Sequence, residues 1–265
     1  MAVVAASKRR SNWFLFFCNC LFIIFLSWSQ SGLSQSTPDV SFALQQCDSL
    51  YSQRAADSNK PHEAAACYEQ LFAKRPDADV AVRLGKTYYW IGAHAAQDLR
   101  LELFQKGIDW SNKAIQLDPK NPGGYFWLGV NNGKYGETRG IIKSLFLIGH
   151  IKDAMNQVIA LDPGYEYGGA YRVLGRMYFK LPRFAGGGID KSIDYLKKSL
   201  ASAPNISTTR LFLAECYLSQ KDYKKAQHEL NAILSTPPIP GLEPEFAADK
   251  EEARRLLNEV NNKIH

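Results

Sequence analysis

Residues 207–238 read STTRLFLAECYLSQKDYKKAQHELNAILSTPP. Leu211, Leu213, Ala214 and Tyr217 recur at helical spacing, Lys221-Asp222-Tyr223 interrupts them, and Ala226 and Leu230 resume before Pro237-Pro238 ends the run. Apolar positions three and four apart predict two amphipathic helices joined by a tight turn. The small residue at 214 has a steric purpose, because it lets the second helix approach the first closely.

The same frame returns upstream. Pairs Leu84-Gly85, Leu128-Gly129 and Leu174-Gly175 match Leu213-Ala214, followed three residues later by Tyr88, Asn132, Tyr178 and Tyr217. Helix ends turn at Pro76, Pro119, Pro163, Pro204 and Pro238. Arg210, Leu213, Ala214, Tyr217, Ala226, Leu230 and Pro238 fall at the spacing of the tetratricopeptide repeat. No strand-like alternation persists after residue 41, so the reading is an all-α tetratricopeptide-type solenoid of about five repeats over 39–243. The first helix, around Phe42 to Ala55, is degenerate, as terminal repeats are. A charged amphipathic helix over 244–265, with Phe246, Ala253, Leu256, Leu257 and Val260 on its apolar side, is expected to cap the stack.

Successive closing prolines lie 43, 44, 41 and 34 residues apart, against a plain period of about 34. Repeats two, three and four are therefore expected to hold about seven to ten extra residues each as inter-helix insertions along one edge, where added surface leaves the stacking undisturbed.

The amino terminus reads as an export signal. A basic cluster at Lys8, Arg9 and Arg10 precedes an apolar run from Trp13 to Trp28 and a small, polar stretch. Residues 1–34 are expected to be a signal peptide, with Ser27-x-Ser29 and Gly32-x-Ser34 both suited to cleavage, or else an uncleaved anchor. Phe16-Phe17 before Cys18 and Asn19 before Cys20 argue against a lipoprotein site. Lys8, Arg9 and Arg10 supply three of the net +6 and no acid precedes Asp39, so the remainder is only +3. With no basic stripe or stacking aromatics, nucleic acid is not an expected partner.

Cys47, Cys67 and Cys216 follow the export segment. They read either as small buried hydrophobes or, for Cys47 and Cys67 on consecutive helices, as a disulfide in an oxidising compartment. His62, His94, His150, His228 and His265 are scattered without HxxxH or HExxH spacing, and no G-x-S-x-G turn occurs, so neither a metal, a cofactor nor an enzyme is expected. Gly186-Gly187-Gly188 lacks the frame of a phosphate loop and reads as an inter-helix turn. Asn205-Ile206-Ser207 is a glycosylation sequon only in a eukaryotic secretory pathway.

Projecting the repeat register onto the concave face nominates Tyr89 and Trp90 from repeat two, Phe126 and Lys134 from repeat three, and Arg172, Arg176 and Phe179 from repeat four. Aromatic and cationic side chains together suit an anionic group on an apolar body, or an acidic chain terminus. Inter-repeat packing and solvated cations are the plainer alternative. Lys143, within Ile141-Ile142-Lys143-Ser144-Leu145-Phe146-Leu147-Ile148, reads as a snorkelling side chain or as a subunit or ligand contact.

Tyr125-Phe126-Trp127-Leu128-Gly129-Val130-Asn131-Asn132-Gly133-Lys134-Tyr135-Gly136 with Gly140-Ile141-Ile142-Lys143-Ser144-Leu145-Phe146-Leu147 resembles the T component of TRAP-type transport systems. So does Gly168-Gly169-Ala170-Tyr171-Arg172-Val173-Leu174-Gly175-Arg176-Met177-Tyr178 with Leu181-Pro182-Arg183-Phe184-Ala185-Gly186-Gly187. The resemblance covers about residues 40–250 and is strongest over 122–240. It implies a periplasmic homotrimer that docks a solute-binding protein and passes on apolar or organic-acid ligands. Known members can be lipid-anchored, and this sequence departs from them in lacking a suitable cysteine. A general exported scaffold for an envelope or secretion complex is the alternative function.

Overall fold

The computed structural model describes residues 38–264, and the export segment read over 1–34 lies outside them. Eleven α-helices and no strand occur among the described residues. They form five hairpins: α1 (Pro38–Ser52) with α2 (Lys60–Lys74), α3 (Ala78–His94) with α4 (Arg100–Leu117), and α5 (Pro122–Arg139) with α6 (Leu147–Leu161). The last two are α7 (Tyr165–Lys180) with α8 (Ile189–Ser202) and α9 (Ser207–Ser219) with α10 (Tyr223–Ser235), before the terminal α11 (Glu243–Ile264).

Local chemistry sets the boundaries. The residue before a proline is driven out of the helical region, because the ring crowds its backbone. Arg75, Asp118, Asp162 and Ala203 accordingly end α2, α4, α6 and α8 in extended conformation, just ahead of Pro76, Pro119, Pro163 and Pro204. New helices start on side-chain caps: Asp77 accepts hydrogen bonds from the Asp79 and Val80 amides, and Asn121 from that of Gly123, with Pro122 in the first turn.

The first helices of the hairpins stack, α3 on α5, α5 on α7 and α7 on α9, making the inner layer of the solenoid. Close approach within a hairpin depends on the small residues of the repeat. A Cβ on Gly175 would stand 2.7 Å from Leu196 Cγ. Between hairpins the same holds: a Cβ on Gly107, on α4, would stand 2.3 Å from Oδ1 of the fully buried Asn131 on α5. That asparagine donates to the carbonyls of Gly85 and Trp127, locking α3 and α5 together.

The extra length of repeats two to four is distributed unevenly. In repeat two it lengthens the helices, 17 residues in α3 and 18 in α4 against 13 each in α9 and α10. In repeats three and four it is shared between longer helices, 18 residues in α5 and 16 in α7, and loops holding short 3-10 turns, Ile142–Ser144 and Arg183–Ala185.

Cys47 and Cys67 are disulfide-bonded between α1 and α2, with Cα atoms 5.5 Å apart, and Cys216 is a buried free thiol. The terminal helix packs Ala253, Leu256 and Val260 against the last repeat, the capping position expected of it. Its first turn also reaches the other end of the chain. Arg54, buried after α1, pairs with Glu245 at 2.7 Å, donates to the Gly241 carbonyl and lies over the rings of Tyr51 and Trp90.

Candidate ligand cavity on the concave face

The inner helices and the first turns of α11 enclose a cavity of about 500 Å³, within the range of small-molecule sites. Tyr89 and Trp90 from α3, Phe126, Val130 and Lys134 from α5, and Arg172, Val173, Arg176 and Met177 from α7 line it. Thr208 and Phe212 from α9 and Pro244, Glu245, Ala248 and Asp249 from α11 complete the wall. The aromatics brace one another: Trp127 meets Tyr89 and Phe126 with ring centroids 5.5 and 5.1 Å apart.

Six of the seven nominated groove residues therefore meet in one space. Phe179 does not; it packs against the carboxy-terminal core, 5.5 Å from the Arg176 guanidinium. Lys143 is exposed on the 3-10 turn after α5, outside the cavity.

The cations of the wall differ in what holds them. Arg176 pairs with Glu215 and lies 4.3 Å over the Phe212 ring. Lys134 pairs with Glu137 at 3.0 Å and Lys86 with Glu166 at 3.4 Å, while Lys180 stands exposed at the mouth. Arg172 is half-buried and has no ion-pair partner among the described residues. Its Nη2 donates to the Glu166 carbonyl at 3.2 Å and its Nη1 to that of Tyr167 at 3.4 Å. Burial lowers its pKa, the mark of a charge that has lost water.

The carbonyls that hold Arg172 belong to an unusual turn. Glu166, Tyr167 and Gly168 are all left-handed, with φ of 47°, 60° and 68°. Two are not glycine, so the turn stores backbone strain of order 1–3 kcal/mol per residue. Gly168 is required there, since an added Cβ would lie 2.9 Å from the Ser202 side chain. The Lys86–Glu166 pair and the Arg172 contacts hold the turn in place.

Asp249 faces the same space from α11. The Ser207 and Thr208 hydroxyls donate to it at 2.7 and 2.6 Å, yet burial outweighs them and raises its pKa, with the positive field of Arg172 opposing. Tyr51, Lys86, Glu166, Glu245 and Asp249 are cavity residues that the repeat register did not nominate. Asp249 had a signal: three residues after Phe246 and four before Ala253, it is an acid on the apolar face of α11. The others reach the cavity through chain packing and leave no local pattern. Among the described residues, no cluster of His, Cys, Asp and Glu is arranged for a metal.

Residues 43–185, more than half of the chain, match the family described as "Regulator of microtubule dynamics protein 1-3". The chain belongs to this family. Residues 183–238 match a tetratricopeptide-repeat family, so the two matches together run through all five hairpins. No curated protein matches the chain. Among solved structures, TTC0263, a thermophilic tetratricopeptide protein of Thermus thermophilus, is 19% identical with a TM-score of 0.58, covering 79% of this chain and 98% of that one. PilF of Pseudomonas aeruginosa is 14% identical with a TM-score of 0.52, covering 85% and 92%. At these identities the likeness is one of fold. The chain is a tetratricopeptide protein of the protein-interaction scaffold type.

Proposed function

We propose that this family member is a non-enzymatic binding module whose cavity takes an organic acid with an extended apolar body. The observation that carries this is Arg172, a half-buried guanidinium without an ion-pair partner among the described residues, at one side of a cavity walled by Tyr89, Phe126, Val173, Met177 and Phe212. A carboxylate there would replace the missing counterion, and a charge-assisted hydrogen bond contributes about 1.5–3 kcal/mol. Dodecanoate in titration calorimetry is the direct probe. One equivalent should bind, dodecanol should bind more weakly, and Arg172→Met should weaken dodecanoate at least about tenfold. Equal affinity for acid and alcohol would remove Arg172 from the reading.

On the resemblance of residues 122–240 to the T component of TRAP systems, we further propose an exported homotrimer that docks a solute-binding protein and hands the acid on. The signal-like amino terminus supports export, and the Cys47–Cys67 bond suits an oxidising compartment. Light scattering decides the assembly: a strictly monomeric protein argues against it and leaves the general envelope scaffold. The family description favours a second reading, an action on microtubules, and co-sedimentation with polymerised tubulin tests it.

A further inference from the structure

The two loops of repeats three and four both join the first helix of a hairpin to the second, so the solenoid places them on one edge. Each ends in exposed apolar side chains: Ile142 and Phe146 on one, 61% and 58% exposed, and Phe184 on the other at 78%. Exposed apolar side chains are ordinary when scattered singly, but several sharing one edge and rimmed by polar groups mark an interaction surface. Each is flanked by exposed cations, Arg139 and Lys143 on the first loop, Lys180 and Arg183 on the second. The Arg139 guanidinium lies 5.6 Å from the Phe146 ring.

No Asp or Glu occurs over 138–152 or 179–189. Glu137, next to the first loop, is engaged by Lys134, and Asp190, next to the second, accepts from Gln220. The opposite edge is mixed in charge, its turns carrying Asp77, Asp118 and Asp162 beside Lys74, Arg75 and Lys120. The tips are also held in place. Gly187 and Gly188 donate to the carbonyls of Pro182 and Tyr178, and Ser144 to that of Ile141. Ile141 and Ile148 from the first loop region, with Lys180 and Leu181 from the second, line the cavity, so this edge bounds its mouth.

We propose that this edge docks on an anionic bilayer, with Ile142, Phe146 and Phe184 entering the interface and Arg139, Lys143, Lys180 and Arg183 meeting lipid head groups. Separate apolar points surrounded by long-stemmed cations suit a planar, negatively charged surface. There the stems lie along the apolar layer while the charges stay at head-group level. Each cation near such a surface strengthens binding about fivefold, an effect that fades as salt shortens the Debye length. The assignment is independent of the cavity's ligand.

An environment-sensitive fluorophore attached through Phe184→Cys to the full chain carrying Cys18→Ser and Cys20→Ser tests it, since Cys216 is buried and the other described cysteines are bonded. On vesicles of phosphatidylcholine with about one third phosphatidylserine the probe should shift to the blue, and brominated acyl chains should quench it. On phosphatidylcholine alone neither should occur. A probe at Lys120→Cys on the opposite edge should stay in water. Combining Lys143→Glu with Arg183→Glu should weaken the response about twenty-fivefold or more, whereas Arg172→Met in the cavity should leave it unchanged. The probe reports its own surroundings, so the apolar run of residues 13–28 does not generate the signal. A probe at 184 that remains aqueous on anionic vesicles overturns the proposal, as does an equal shift on neutral vesicles or indifference to charge reversal.

Discussion

Arg172 and Arg176 lie one helical turn apart on α7 and look equivalent in the sequence, but Glu215 neutralises Arg176, whereas among the described residues backbone carbonyls alone hold Arg172. Asp249 should act against Arg172 as an anion receptor. Replacing it by Asn retains an acceptor for Ser207 and Thr208 and removes a negative charge from the cavity, so Asp249→Asn should tighten dodecanoate binding in calorimetry. The same residue should govern a pH effect on stability. Its folded pKa is raised, so the native state holds the proton more firmly than the unfolded chain does. Its contribution is then most favourable in acid and is lost as pH rises through the interval above the ordinary carboxylate value. Asp249→Asn should therefore melt higher than the parent at neutral pH, with the gap closing on acidification. Gly107→Ala should be severe, by about 3 kcal/mol in urea denaturation, because the new methyl group meets the buried Asn131 amide that ties α3 to α5.

At the scale of elements, the helix count and the repeat boundaries were legible because they rest on local forces. A proline makes its predecessor extended, an Asp or Asn caps the next helix, and a glycine or alanine every repeat admits the neighbouring helix. The terminal helix was legible only in its second half. Its apolar stripe announces packing on the last repeat, but nothing local announces that Glu245 meets Arg54, because that partner lies 191 residues away in sequence. Glu245→Ala leaves a buried guanidinium with the Gly241 carbonyl as its hydrogen-bond partner, and should lower stability by about 3 kcal/mol. Faster hydrogen exchange over 241–249 would localise the loss to this contact. The Cys47–Cys67 bond closes a short loop at the other end, so reduction should lower stability by about 3 kcal/mol, read from the urea midpoint before and after a reductant.

At the scale of the molecule, the superhelix brings its two ends together across the concave side, and the cavity exists because of that closure. Tyr89, Trp90, Phe126, Lys134, Arg172 and Arg176 could be nominated from the sequence, since helical periodicity determines which side of an inner helix faces the groove. Their charge states could not. Pairing depends on which carboxylate a neighbouring helix presents, and that is set by superhelical curvature, a sum of small rotations that no single repeat encodes. The same holds for Phe179, which the register placed in the groove and which packs instead, partly buried, against the carboxy-terminal core. An array of helix pairs, and the inward side of its inner helices, were thus already dictated by residue order, because both follow from short-range sterics and periodicity. Closure of the array, an Arg172 without a counterion among the described residues and an Asp249 facing it emerge from the folded chain alone, because they depend on contacts between segments remote in the sequence.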